Sequence, residues 1–368
     1  MIRLTVPGLA DAEVEATSRV LRSGMLVQGP EVARFEERIA ERCARAHAMA
    51  VTNGTAALEL ALRALGIGPG DEVIVPDVTW PSPAHAVLQV GATPVLIDVD
   101  AAEWNAVPDA YRAAVSPATR GAIAIDQFGM PARLSEIVAA LPGVSVIEDA
   151  ACAIGSTRAE GPCGKGSVIS TLSFHPRKVL VTGEGGMCLT DDAAIAERIR
   201  ILRNHGQRSV GEFACASGNM RMTEVAAAIG LVQLDRLDGM LTQRRHLAAR
   251  YHAHLKHVVF QKAPENALSN WQTFGVLLPA GKNADDRDRV VAALRTRDVE
   301  AGRLSYALHR LAPLQAAAES AKSKARAFTC SEQIVDRGFA LPLYASMDDE
   351  TQDRVINALE HALAEVIQ

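Results

Sequence analysis

The stretch AVTNGTAALELALRALGIGPGDEVIVP, from Ala50 to Pro76, holds the pattern that decides the fold. An apolar segment leads into a turn of small residues, a helix rich in alanine and leucine, a glycine-rich stop and a second apolar segment. Helices that alternate with apolar strands indicate a mostly parallel sheet covered on both faces. The alternation continues through predicted helices at 82–90 and 133–140 and predicted strands at 94–98, 121–126, 144–148 and 168–174.

The character of the sequence changes after Arg221. Residues 222–255 keep a helical periodicity throughout, which predicts one long helix or two in tandem that bridge two domains. We therefore predict a large domain over residues 1–240, which includes an N-terminal helical segment, and a smaller α/β domain over 241–368. In the smaller domain the pattern predicts a strand at 271–278 and helices at 286–296 and 349–366.

Composition narrows the class of protein. The chain has 368 residues, a formal net charge of -5 and 48% hydrophobic residues, as in a globular protein, and it shows no cluster of Lys and Arg that would indicate nucleic-acid binding. It contains neither a secretion signal nor a long apolar run, so we expect a cytoplasmic protein that does not bind membranes. Its six cysteines lack close C-x-x-C spacing, which predicts reduced thiols and no metal site.

Two segments of the large domain carry candidate binding groups. In TNGTAAL, residues 52–58, small residues stand where a helix begins, so the turn of Gly54, Thr55 and Ala56 could hold a phosphate with backbone N–H groups. The alternative is an ordinary capped helix. In VIEDAACAIG an apolar strand ends at Asp149, which places a carboxylate at the ligand-binding edge of the sheet, although such an acid can also be a helix cap.

The stretch SFHPRKVLVTGEGGM, residues 173–187, sets Lys178 between a proline and three glycines. A lysine in a loop is usually a solvated charge. The alternative is pyridoxal phosphate, which needs a Schiff-base lysine, a carboxylate at the pyridine nitrogen, a phosphate cup and an aromatic face. Lys178 and Asp149 supply the first two, and the Gly54 turn with Ser173 supplies the cup. Trp80 supplies the aromatic face, or else packs in the core.

With these residues in place, the sequence resembles the DegT/StrS-type nucleotide-sugar aminotransferases, within the fold-type I superfamily of aspartate aminotransferase. The likeness runs over nearly the whole chain. It rests on GMLVQGPEVARFEERIA at 24–40, NGTAALELALRALGIGPGDEVIVP at 53–76, GATPVLIDVD at 91–100, IEDAACAIGS at 147–156, SFHPRKVLVTGEGG at 173–186, RNHGQ at 203–207 and GNMRMTEVAAAIGLVQL at 218–234.

The resemblance implies a large, mostly parallel seven-stranded sheet domain, a smaller C-terminal α/β domain and pyridoxal 5'-phosphate as cofactor. It implies that Lys178 forms the Schiff base, that Asp149 contacts the pyridine nitrogen and that Trp80 stacks on the ring. Three residues are implied at the phosphate: Thr55, Ala56 and Ser173.

The resemblance also implies a homodimer with shared active sites, because Asn219 would reach the phosphate in the neighbouring subunit. Taken alone, Asn219 is equally a turn residue after Gly218. The chain departs from the family at Cys152, where many members have Gln or His beside the ring hydroxyl, and at Gln272, where histidine is common. A thiol is a weak hydrogen-bond donor, and Cys152 could instead be a core residue.

The implied activity is transfer of an amino group from L-glutamate to a keto sugar, above all a nucleotide-linked keto-deoxysugar. A cyclitol ketone or another carbonyl compound is an alternative acceptor. A sugar dehydratase of the same fold is disfavoured, because such relatives replace the Schiff-base lysine with histidine and this chain has Lys178. A non-catalytic, cofactor-binding regulator would be expected to carry a DNA-binding module, which the sequence does not show.

Overall fold

The computed structural model describes residues 1–319 and 327–367. Its helices are α1 Asp11–Ser23, α2 Pro30–Arg42, α3 Gly54–Ala64, α4 Ser82–Gln89, α5 Pro108–Ala114, α6 Leu134–Ala140, α7 Ala193–Arg203, α8 Glu224–Asp235, α9 Leu237–His254, α10 Ala284–Arg295, α11 Ala312–Glu319, α12 Thr329–Arg337 and α13 Asp349–Ile367. Its strands are β1 His47–Val51, β2 Glu72–Pro76, β3 Val78–Thr79, β4 Thr93–Ile97, β5 Thr119–Ile125, β6 Ser145–Asp149, β7 Thr157–Arg158, β8 Gly161–Pro162, β9 Ile169–Ser173, β10 Gly186–Thr190, β11 Gln207–Ser209, β12 Glu212–Phe213, β13 Val259–Phe260, β14 Phe274–Leu277, β15 Gly302–Arg303, β16 Tyr306–Ala307 and β17 Gly338–Leu341.

Seven strands form the large sheet, in the order β1-β10-β9-β6-β5-β2-β4. Strand β10 pairs antiparallel with both of its neighbours, while every other pair in the sheet is parallel. The prediction of a mostly parallel α/β sheet is therefore confirmed. The sequence pattern did not predict β10, a short strand that begins at the second of two consecutive glycines and ends shortly before α7.

Helices cover both faces of the sheet because its strands alternate between two cores. In β1, Met49 and Val51 face the core that contains α3, α4 and α7, whereas Ala48 and Ala50 face the core that contains α2 and α8. A side-chain period of two residues in a strand produces this division. Both sides are apolar, which is why the predicted strands appear in the sequence as continuous hydrophobic runs.

The helical stretch after Arg221 forms two helices rather than one. Helices α8 and α9 meet at Arg236, whose Nη2 donates to Gly8 O at 2.7 Å. Leu237 and Leu241 of α9 pack in the core of the large sheet, and the later part of the same helix packs against a four-stranded antiparallel sheet, β13-β14-β17-β15. Helix α9 thus bridges two cores, while a domain boundary at residue 240 stays a prediction.

The segment before α2 is fixed by one buried carboxylate. Glu224, at the start of α8, accepts hydrogen bonds from the backbone N–H groups of Gly29, Glu31 and Val32 at 2.8, 2.8 and 2.9 Å. A negative charge at a helix N-terminus is favourable, and here it joins two helices that lie far apart in sequence. In the part of the chain described, no helix combines the length and apolar character that spanning a membrane requires.

Candidate active site

Four neighbouring parallel strands end at an aspartate on the carboxyl edge of the large sheet. Asp77, Asp98 and Asp126 follow β2, β4 and β5, and Asp149 is the last residue of β6. Open α/β sheets bind their ligands at this edge. The four acids differ in what they contact, and that difference identifies the one that is available to a ligand.

Asp77 is completely buried and binds a histidine of the C-terminal part of the chain. Its Oδ1 accepts the backbone N–H of His309 at 2.7 Å, and its Oδ2 lies 2.7 Å from His309 Nδ1. The other ring nitrogen of His309 lies 3.4 Å from a carboxylate oxygen of Glu332, and the ring stacks on Phe328 with centroids 4.4 Å apart. Asp77 therefore joins the large sheet to the segment that contains β16 and α12.

Asp98 serves as the cap of α12. Its carboxylate accepts from the backbone N–H groups of Cys330 and Ser331 at 3.0 and 2.8 Å, and from the Ser331 hydroxyl at 2.6 Å. These bonds occupy donors that the first turn of a helix leaves free. Asp98 is thus a structural acid.

Asp126 belongs to a buried cluster around Arg158. Arg158 Nη2 lies 3.3 Å from both carboxylate oxygens of Asp126 and 3.0 Å from Cys163 Sγ, and it also pairs with Glu148. Potential ligand atoms of Asp126, Glu148 and Cys163 lie within 4.8 Å of one another, and the Arg158 guanidinium is the cation among them. Burial raises the pKa of Asp126 well above its ordinary range, although the Arg158 charge acts to lower it.

Asp149 has no such cation in its hydrogen-bond shell. Its Oδ1 accepts the backbone N–H of Ala151 at 3.1 Å, and in residues 1–319 and 327–367 no donor binds its Oδ2. Burial raises the pKa of this carboxyl, while the Ala151 hydrogen bond and the charge of Lys178 act to lower it. Asp149 is therefore a buried acid with one oxygen left for a cationic donor.

Lys178 lies in the loop of residues 174–185 between β9 and β10, close enough to Asp149 for its charge to act to lower the pKa of that carboxyl. Its Nζ donates a hydrogen bond to Cys152 Sγ at 3.0 Å. Both side chains are half-buried, so the pair is in contact with solvent. The structure thus brings Asp149, Cys152 and Lys178 together, although Asp149 and Lys178 lie 29 positions apart in the sequence.

A turn before β14 holds both loops in place. The side-chain amide of Asn270 donates to Cys152 O at 2.9 Å, and the amide of Gln272 donates to Arg177 O at 2.7 Å. Asn270 Oδ1 accepts the backbone N–H of Gln272 at 2.8 Å, so the two side chains are positioned together. This turn also explains why the predicted strand at 271–278 begins only at Phe274: Trp271 has a φ of 50°, outside the extended region.

The start of α3 meets the ends of two other elements. A Cβ atom on Gly54 would lie 2.9 Å from Ser173 Cβ, so only glycine allows this approach. Thr55 Oγ1 lies 2.8 Å from Ser82 Oγ at the start of α4. Asn53 caps the helix by accepting the Ala56 N–H at 2.9 Å, so the capped-helix interpretation holds. The Thr55, Ser82 and Ser173 hydroxyls nevertheless lie at or next to the start of α3, and the first turn of a helix suits an anion.

Trp80 follows β3 and presents 60% of its surface to solvent. Its ring packs edge-on against Tyr306, with centroids 5.5 Å apart, because β3 pairs with β16. The interpretation of Trp80 as a buried core residue is therefore wrong. An aromatic ring that is fixed on one side and open on the other can stack on a planar ligand.

Asn219 contacts Arg221 and Asn204, which are not candidate site residues. It is exposed, its Oδ1 accepts the Arg221 N–H at 3.3 Å, and its backbone forms a bridge with Asn204. It makes no hydrogen bond to another candidate site residue within the described chain. Its role in a site, as opposed to a turn, stays a prediction.

The arrangement fits pyridoxal phosphate. Asp149 has a free oxygen for the ring nitrogen, Lys178 has a primary amine for the aldehyde, and Trp80 has an open face for the ring. The close contact of Gly54 with Ser173 creates a compact group of N–H and hydroxyl donors for the phosphate. These are the four requirements that the cofactor places on a protein.

Comparison with known proteins gives a consistent result. The model of the DegT/DnrJ/EryC1/StrS aminotransferase family matches residues 7–360. The chain is 36% identical to GDP-perosamine synthase of Caulobacter vibrioides, over 91% of each chain. It is 32% identical to the spore coat polysaccharide biosynthesis protein SpsC of Bacillus subtilis, over 96% of this chain and 95% of the relative. DesV of S. venezuelae superposes with a TM-score of 0.89 at 31% identity, over 95% of this chain and 94% of that one.

Sequence reasoning missed Asp77, His309 and Tyr306. Asp77 had the same signal as Asp149, an acid at the end of an apolar strand, and could have been found by it. His309 and Tyr306 had none, because only the pairing of β3 with β16 brings them to this edge. These residues matter because the pairing of β3 with β16 holds the backbone next to Trp80 in place.

We expect the contact between Asp77 and His309 to make stability depend on pH. Burial lowers the pKa of His309, but the Asp77 and Glu332 carboxylates raise it by more, so it lies above its ordinary value of 6.5. The stabilisation is complete below that value and is lost as the pH rises through the raised pKa. Replacing His309 with Gln should cost about 1.5–3 kcal/mol at low pH and less at high pH, measured by urea unfolding between pH 5.5 and 9.

Arg310 also lies 3.3 Å from Glu332, so the variant Arg310→Gln provides a control. It removes a positive charge beside Glu332 and leaves the contact between His309 and Asp77 unchanged. A cost of His309→Gln that is equal at all pH values would show that the pKa of His309 is the same in the folded and the unfolded protein, which contradicts the prediction.

Proposed function

The chain belongs to the DegT/DnrJ/EryC1/StrS aminotransferase family, and from this membership we propose that it transfers an amino group from L-glutamate to a nucleotide-linked keto-deoxysugar. It is a pyridoxal phosphate-dependent aminotransferase. The choice of acceptor is supported by the 36% identity to GDP-perosamine synthase, a relative named for a nucleotide-linked product, over 91% of each chain. The single observation in the structure that carries the proposal is the grouping of Lys178 with Asp149, the strand-end acid that has an open oxygen.

We propose the following roles for the residues. Pyridoxal phosphate, when bound, supplies an aldehyde that captures amines and a ring that accepts electrons. Lys178 would hold the cofactor through its amine and would serve as the base that moves a proton during transamination. Asp149 keeps the ring nitrogen protonated, Trp80 covers one face of the ring, and Cys152 lies beside the ring hydroxyl.

The phosphate would bind at the start of α3. Gly54 and Thr55 present backbone N–H groups at the positive end of the helix, the Ala56 N–H is already bound by Asn53, and Ser173 and Ser82 add hydroxyl donors. Fixing the phosphate at one end and the ring nitrogen at the other orients the aldehyde toward Lys178. Orientation of this kind lowers the barrier because the reacting groups start close together.

We further propose a homodimer in which Asn219 binds the phosphate of the partner's cofactor. In support, Asn219 is exposed and has no bond to the other site residues of its own chain. Consecutive apolar residues at 25–27, between α1 and α2, are 45–52% exposed, as expected of a surface that another chain covers. The predicted cytoplasmic location remains a prediction.

The acceptor can be tested with the aminated cofactor form of the purified protein. We expect L-glutamate to convert the cofactor to that form, and a nucleotide-linked keto sugar to restore the original visible absorbance. Cyclitol ketones in the same panel provide the competing class. Restoration by a cyclitol ketone alone would contradict the proposed acceptor but not the aminotransferase activity.

The shared site can be tested by mixing subunits of Lys178→Ala and Asn219→Ala, each nearly inactive alone. If Asn219 acts across the interface, a mixed dimer places both changes in one site and leaves the other intact. Random exchange makes about half of the molecules mixed, so activity should return to roughly a quarter of that of the wild type. No recovery after verified exchange would show that Asn219 serves its own chain, as a turn residue or otherwise.

A further inference from the structure

Cys152 differs from the other five cysteines in its hydrogen-bond partner. Its Sγ accepts from the primary amine of Lys178 at 3.0 Å, whereas no other cysteine in the described part of the chain has a lysine as partner. Cys43, Cys163 and Cys188 are buried, Cys215 is exposed in the loop after β12, and Cys330 in α12 is half-buried. Within residues 1–319 and 327–367, Cys152 and Lys178 are therefore the one thiol and lysine amine in direct contact.

A small solute can reach this pair. Cys152 and Lys178 are both half-buried, so neither side chain is enclosed in the core. The turn before β14 fixes the position of the loop that carries Cys152, through the bond from Asn270 to Cys152 O. Lys178 has a flexible four-carbon stem, so the nitrogen can close the remaining distance to the sulfur.

We propose that Cys152 and Lys178 form a covalent modification site, in which hydrogen peroxide joins Sγ to Nζ through a sulfenamide bond whenever Lys178 is free of the cofactor. The proposal adds a reaction of the protein itself to the proposed transferase activity. Cysteine sulfenic acid is known to condense with a nearby nitrogen in this way.

The first step uses the existing hydrogen bond. The reactive form of the pair is a Cys152 thiolate that accepts the hydrogen bond from the Lys178 ammonium, and this thiolate attacks one peroxide oxygen. The S–O bond forms, the O–O bond breaks, and the departing hydroxide takes a proton from the Lys178 ammonium and leaves as water. Sulfur is oxidised by two electrons, peroxide is reduced, and a neutral amine remains beside a sulfenic acid.

In the second step the Lys178 lone pair attacks Sγ. The N–S bond forms, the S–O bond breaks, and the hydroxide leaves with a proton from the nitrogen as a second water. One thiol, one amine and one peroxide have then become one sulfenamide and two waters. The contact at 3.0 Å makes this step intramolecular, which favours it over attack by a second peroxide.

Cofactor loading should protect the pair. This part rests on the proposed function, because it assumes that Lys178 is the lysine that holds pyridoxal phosphate. At a cofactor concentration of about ten times its Kd, about a tenth of the sites remain free, so cross-linking should fall roughly tenfold. The sulfenamide itself depends only on the contact between the two residues.

The test is peptide mapping by mass spectrometry after peroxide treatment of the full chain, with and without cofactor. We expect the peptides that contain Cys152 and Lys178 to be linked in the cofactor-free protein, with a mass two hydrogen atoms below their sum. A thiol reductant should restore both free peptides. Cys152→Ser should lose the link, and Cys215→Ser, which removes an exposed thiol elsewhere, should retain it.

Cys152 found as sulfinic acid or as a free thiol, with Lys178 unlinked in the cofactor-free wild type, would overturn the proposal. A link that forms equally with and without cofactor would uphold the sulfenamide and contradict the role of Lys178 in holding the cofactor. The two results separate a failure of this proposal from a failure of the proposed function.

Discussion

The interaction on which the site depends is one that the protein leaves incomplete. Asp149 is buried at the end of β6 with a single backbone hydrogen bond, and burial raises the pKa of its carboxyl. A buried carboxylate is unfavourable unless a cation or several donors satisfy it. The neighbouring acid Asp126 has the Arg158 guanidinium, and Asp77 has His309. Asp149 instead has an oxygen with no donor among the described residues, and a protonated ring nitrogen would supply the charge that this oxygen requires.

The other acids at this edge make that arrangement possible. Asp77 and Asp98 attach the C-terminal part of the chain to the large sheet, through His309 and through the first turn of α12. The pairing of β3 with β16 then places Tyr306 against Trp80. Acids of the same type, at equivalent positions on adjacent strands, thus divide into those that hold the scaffold together and one, Asp149, whose second carboxylate oxygen has no donor among the described residues.

The sequence predicted the fold, and singled out most of the candidate site residues, for identifiable reasons. Hydrophobic runs predicted most strands of the large sheet because these strands are buried on both faces. Lys178 and Asp149 were identified as candidates because each comes at or shortly after the end of such a run. The break at Arg236 and the partner of Asp77 could not be predicted, because both depend on contacts between distant segments. The contact of Cys152 with Lys178 likewise joins two loops that no local pattern relates.

The protonation of the cofactor's ring nitrogen tests the role of Asp149 most directly. Nitrogen-15 NMR of the protein loaded with ring-labelled pyridoxal phosphate should show a protonated nitrogen in the wild type and an unprotonated one in Asp149→Asn. Asp98→Asn, which changes a neighbouring strand-end acid that caps α12, should keep the protonated signal. A protonated nitrogen in Asp149→Asn, with the cofactor still bound, would contradict the assignment of Asp149 as its partner.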